Sequence, residues 1–184
     1  MKLRWRYRAY FFAILFNLIL AALVISGAVF YVVHLKDGRN VRILEIRDSD
    51  SGRTYGRWSL EEGSEFAVEF IHSVHQSPVR ETFVIEGEMI RLAALRFNSF
   101  GAGMPSVLEE GWTMGRDGDA ILISGFNTSM RELNYTIGTV SNYLLLINGN
   151  VLSLQELAGL NPTGLNPSGI NPGRANAHIT IRLK

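Results

Sequence analysis

The chain has no cysteine. That removes disulfides, thiolate metal sites and cysteine nucleophiles together. It also lacks an excess of charge of either sign, with 18 Lys and Arg against 17 Asp and Glu. With no basic stripe and no RNA-binding signature, nucleic acid is not expected as a partner. Helical periodicity is missing as well. After residue 33 no segment sustains a 3.6-residue apolar repeat, which argues against a helical bundle. There is no Walker loop, dinucleotide fingerprint or Gly-x-Ser-x-Gly elbow, and no cofactor is expected.

What the chain does have is one long apolar run, Tyr10 to Val33, without a charged residue and with Asn17 as its most polar side chain. As a helix it would span about 36 Å, enough to cross a hydrocarbon core of about 30 Å. Inside that core only a helix satisfies the backbone of a single segment. Residues 10–33 are therefore expected to form a transmembrane signal anchor. The tail 1–9 before it carries Lys2, Arg4, Arg6 and Arg8 and no acid, whereas Lys36, Arg39 and Arg42 beyond it are interleaved with Asp37 and Glu45. The positive-inside bias then places the tail in the cytoplasm and the C-terminal part outside the cytoplasmic (inner) membrane, in a single-pass, periplasmic arrangement. A cleaved signal peptide is the alternative, since Ser26-Gly27-Ala28 has the small-residue pattern of a cleavage site. The run continues through Val33, which favours retention.

Residues 34–184 read as one exported domain of short strands separated by turn signals. Candidate strands are 41–47, 53–60, 65–74, 80–86, 88–97, 120–124, 132–138, 143–147, 151–154 and 177–183. Gly87 marks a tight hairpin. Asn148-Gly149 is the strongest hairpin signal, because a type I′ turn needs positive φ at both central residues. Residues 155–160 have room for one helical turn. The expected class is all-β, an antiparallel sandwich or barrel. Residues 159–173 hold three copies of a five-residue Gly-x-Asn-Pro unit, which can be neither regular helix nor inner strand. They read as an exposed loop expanded by duplication.

The densest polar cluster is Phe70-Ile71-His72-Ser73-Val74-His75-Gln76-Ser77-Pro78-Val79-Arg80-Glu81. His72 and Ser73 fall on opposite faces if the strand reaches them, which argues against a direct Ser-His dyad. A zinc site would need a third ligand from Glu69, Glu81 or His178. The plainest role for His72 is to order the turn leading to Pro78. A second cluster, Phe97 to Pro105, brackets Ala102 with Gly101 and Gly103, a pattern that serves either an anion-binding nest or a tight corner. Asp48-x-Asp50-x-Gly52 begins like a calcium loop, but Ser59 stands where the bidentate glutamate belongs, so a polar turn is expected.

Taken together, the two clusters resemble the bacterial domain of unknown function 1850 family. The first segment matches at Phe70, His72, Ser73, Val74, His75, Pro78, Val79, Glu81 and Phe83. The second matches at Arg96, Phe97, Ser99, Phe100, Gly101, Ala102, Gly103 and Pro105. The Asn-Pro repeat departs from the family pattern and reads as an insertion before the last strand. The resemblance implies a small exported protein associated with TRAP transporters of the TAXI type. It carries over no catalytic residue, only a candidate binding surface of His72, Ser73, His75, Glu81, Ser99, Gly101 and Gly103; Arg80 joins them on its charge, since with His72 it would attract carboxylates, and no metal ligand is assigned.

A meander of the strands 65–74, 80–86 and 88–97 would bring both motifs to one end of a sheet. The expected function is a membrane-anchored, non-enzymatic accessory protein of a TRAP-type uptake system. Its site would contact the permease subunits, the solute-binding protein or an organic-anion solute. Two alternatives stay open: a hydrolase or metal-binding protein built on His72 and His75, and a purely structural membrane-assembly protein.

Overall fold

The computed structural model of the chain describes residues 19–27, 40–101, 103–160 and 175–184. Residues 19–27 are helical. Among the described residues no helix is long and apolar enough to cross a membrane. The rest of the expected anchor, the basic tail 1–9 and the repeat from residue 161 onward lie outside the described residues.

All the strands fall in one compact unit, Val41–Lys184. In chain order they are β1 (Val41–Asp48), β2 (Thr54–Glu61), β3 (Glu65–Ile71), β4 (Pro78–Glu86), β5 (Met89–Phe97), β6 (Thr113–Asp117), β7 (Ala120–Ser124), β8 (Ser129–Met130), β9 (Glu132–Gly138), β10 (Leu144–Ile147), β11 (Asn150–Ser153) and β12 (Asn176–Leu183). A single helical turn, Leu154–Leu157, follows β11 with Ser153 as its N-cap. The strands form two sheets, β2-β1-β12-β9 and β11-β10-β3-β4-β5-β7-β6, with β8 paired to β5. Every pairing is antiparallel.

Alternation along the strands explains why the sheets face each other. Leu44, Ile46, Leu133, Ile137, Ile179 and Ile181 point inward from the smaller sheet and are buried. They pack in one cluster with Phe66, Val68, Phe83, Ile85, Ile90, Leu145 and Ile147 of the larger sheet. A second cluster, Val79, Leu95, Phe97, Ile121, Ile123 and Phe126, extends the same inner face across β4, β5 and β7, with Trp112 and Met104 packed against it. The domain is a sandwich, not a barrel.

Two turns fix the geometry that matters below. Gly87 (φ 60) closes the β4–β5 hairpin, and its N–H donates to both carboxylate oxygens of Glu62. Asn148 and Gly149 close β10–β11 with φ of 50 and 74. A Cβ at Gly149 would meet no neighbour but would sit at that positive φ. Gly149→Ala should therefore lower stability by about 1 kcal/mol, read as a shift of the urea midpoint.

Candidate functional site

The expected strand 65–74 stops at Ile71, because the backbone turns at His72. The His72 N–H donates to the Ser77 carbonyl at 2.9 Å, and the Gln76 N–H donates to the His72 carbonyl at 2.8 Å. The ring closes the turn from within. His72 Nδ1 accepts the Val74 N–H at 3.2 Å and the His75 N–H at 3.3 Å. A ring nitrogen that accepts carries no proton, so these bonds set the tautomer with its hydrogen at Nε2. Gln76 takes φ 49, rare for a side-chain-bearing residue, and its amide donates to the Ser73 carbonyl at 2.6 Å. Pro78 then opens β4 opposite Ile71.

This turn lays the two imidazoles together, with ring centroids 5.1 Å apart. Among the described residues the buried Nε2 of His75 has no hydrogen-bond partner. It lies 3.6 Å from where a Cβ would stand on Gly101, whose φ of 101 requires glycine. Gly101 belongs to the loop after β5, where the Met104 N–H donates to its carbonyl at 3.0 Å. Gly103 also has positive φ, at 91. Ala102 between them lies outside the described residues. Phe97 holds the loop from below through an edge-on contact with Phe100 at 5.4 Å. The β3–β4–β5 meander therefore delivers both motifs to one end of the larger sheet.

The remaining candidates are placed differently. Arg80 and Glu81 are neighbours on β4 and so face opposite ways. Arg80 lies on the outer face, where its Nε and Nη2 donate to Glu69 Oε2 at 2.8 and 2.7 Å. It is committed to that carboxylate, not offered beside the histidines. Glu81 points inward. Across the ladders its neighbours are Val68, Leu95 and, one strand further, Ile123. From the opposite sheet the Tyr135 hydroxyl reaches Glu81 Oε2 at 2.5 Å. Burial raises the Glu81 carboxyl above its ordinary 4.5, with the Tyr135 hydrogen bond opposing the rise. Tyr135 is raised well above 10, by burial and by the Glu81 charge. Tyr143 is raised as well, by burial first. Its ring stacks on Phe70 at 5.0 Å and meets Tyr135 edge-on at 6.1 Å.

Ser73 and Ser99 are exposed, and among the described residues neither hydroxyl makes a hydrogen bond. The nucleophile–base contact that a serine hydrolase requires is therefore not formed there. Among the described residues no three His, Asp or Glu side chains gather as metal ligands. Two large apolar side chains stand exposed next in sequence to His75 and Gly101. Val74 is 68% exposed and Phe100 45% exposed. Sequence reasoning names neither of these as site residues, and it misses Tyr135 and Tyr143. The inward alternation Leu133-x-Tyr135-x-Ile137 was the available signal for Tyr135, but only the opposing sheet shows what it touches.

Residues 66–154 match the family model described as domain of unknown function (DUF1850). The match runs from the second residue of β3 to the first residue of the helical turn after β11, so it includes both motifs and the meander between them. No curated protein and no solved structure matches the chain.

Proposed function

We propose that this protein is a membrane-anchored accessory of a TRAP-type (TAXI) uptake system, and that the end of the sandwich bearing His72, His75 and Gly101 docks a protein of that system. Residues 10–33 act as the anchor, with residues 1–9 in the cytoplasm and the β-domain outside the inner membrane. The observation that carries the docking role is the exposure of Val74 and Phe100 beside the His75–Gly101 contact. Large apolar side chains left in water next to a rigid polar turn suit a protein interface, where aromatic and aliphatic anchors supply most of the affinity. The turn is preorganised by its own hydrogen bonds, so little order has to be gained on binding. An organic-anion solute suits this end less well, because Arg80 is held by Glu69 on another face. The anchor adds effective concentration, so a weak contact suffices in the membrane.

The test is a mild-detergent pull-down of tagged full-length protein from native membranes, read by mass spectrometry. TRAP permease subunits or the solute-binding protein should co-purify with the parent, and Val74→Asp or Phe100→Asp should reduce the yield at least about ten-fold. Folded parent protein that recovers no TRAP component would end this reading.

A further inference from the structure

The opposite end of the sandwich is where the chain enters the domain, at Val41, and where it finishes, at Lys184. It holds a groove of about 380 Å³ lined by Arg42, Arg131, Arg182, Lys184, Glu88 and Glu132. Two of the four cations are pinned from below. Glu45, only 1% exposed on β1, accepts Arg182 Nη2 at 2.9 Å and Lys184 Nζ at 2.8 Å. It also accepts Arg57 Nη2 at 2.7 Å, so one carboxylate serves three cations and leaves them in surplus. The other two groove cations are uncommitted. Arg42 occupies an inward position two residues before Leu44, and among the described residues its buried Nε has no hydrogen-bond partner. Arg131 makes no ion pair among the described residues. Of the groove's two acids, Glu132 takes a hydrogen bond from Asn134 at 3.3 Å.

A buried guanidinium nitrogen without a partner is costly unless something else supplies an acceptor. Here the missing acceptor is framed by Arg182 and Lys184 at the end of β12, both held by Glu45, and by Arg131 between β8 and β9. Several converging donors and a surplus of positive charge suit a tetrahedral oxyanion, which accepts forked and single hydrogen bonds on different oxygens. We infer that this groove binds a phosphate group, supplied by the headgroup of an anionic phospholipid. The phosphate chemistry stands on the groove alone. The lipid source rests on the reading of 10–33 as an anchor, in which Val33 leaves the bilayer only seven residues before β1. A fully extended chain of that length reaches at most about 25 Å.

The experiment uses full-length protein in mild detergent, titrated calorimetrically with inorganic phosphate, short-chain phosphatidylglycerol and short-chain phosphatidylcholine. Phosphatidylglycerol should bind most tightly and phosphatidylcholine at least about ten-fold more weakly, with all binding weakened by added salt. Arg42→Gln and Arg131→Gln should each weaken binding about ten-fold, while Arg116→Gln on β6 should not change it. Arg131 is exposed, so its replacement tests the site even if Arg42→Gln folds poorly. Inorganic phosphate binding as tightly as phosphatidylglycerol would retain the site and overturn the lipid source. No binding of either anion, or unchanged binding in Arg131→Gln, would overturn the site. Alkaline extraction of the protein from membranes tests the anchor separately, since phosphate binding in detergent does not depend on it.

Discussion

Tyr135→Phe should cost the domain about 3 kcal/mol at pH 8 and clearly less at pH 5. The Tyr135 hydroxyl is the donor that reaches Glu81 across the sandwich. A hydrogen bond to a charged group contributes about 1.5–3 kcal/mol, and a buried charge stripped of its partner costs about 3–5 kcal/mol. The pH dependence follows from the direction of the Glu81 shift. Its carboxyl is raised above the ordinary 4.5 by burial, with the Tyr135 bond holding it partly down. A raised folded value means that the native state holds this proton more tightly than the unfolded chain does. Stability from this group is therefore complete below pH 4.5 and declines as pH rises through the raised value. Removing the phenol lets that value climb further, so the decline deepens at alkaline pH. Glu81→Gln should abolish this part of the pH dependence. Urea unfolding followed by tryptophan fluorescence at the two pH values measures it, with Trp58 and Trp112 as reporters within the domain. An equal cost at pH 5 and pH 8 would contradict the buried pairing.

Glu45→Gln should cost about 2 kcal/mol at pH 7, and its pH dependence should run the other way. Burial opposes ionisation of Glu45, but hydrogen bonds from Lys184, Arg57, Arg182 and Thr54 outweigh it and hold the carboxyl down at about 2. Its contribution is thus present above pH 4.5 and lost as pH falls from there toward 2. Gln keeps the shape but not the charge, which leaves three cations facing one another with a neutral acceptor between them. Their partial exposure, 56%, 30% and 45% for Arg57, Arg182 and Lys184, lets water moderate the cost. Acid unfolding of the parent should therefore be steeper between pH 4.5 and 2 than that of Glu45→Gln. Parallel acid limbs would mean that the cage contributes nothing. Because Glu81 and Glu45 titrate in opposite senses, their combined contribution to stability is greatest near pH 4.5.

The strands were legible where apolar and polar residues alternate. Candidate strands at 120–124 and 132–138 coincide with β7 and β9, and 41–47 with all but the last residue of β1. β6 was not legible, because all five of its residues are exposed and Gly115 sits at its centre, so no alternation exists to read. β8 has only two residues, too few for any period. That His72 orders a turn was readable from the Pro78 that follows it. That the turn begins at His72 was not, since the ring accepts two amides of its own loop and so ends the strand early. The meander alone predicted that the two motifs share one end. The separation of Arg80 from Glu81 followed from period-two alternation, but Arg80 had been grouped with the site for its charge and its nearness in sequence. The inter-sheet contacts of Tyr135 were hidden, because local patterning says which way a side chain faces and not which strand of the other sheet lies across from it.

β12 lies between β1 and β9 in the middle of the smaller sheet. Without it, among the described strands of that sheet, β1 would keep only β2 as a neighbour and β9 would have none. The smaller sheet therefore cannot close until β12 is in place. A chain cut ahead of β12 keeps two open strand edges and an uncovered core. Chains cut ahead of β12 should therefore be cleared by proteolysis rather than accumulate as partly working protein.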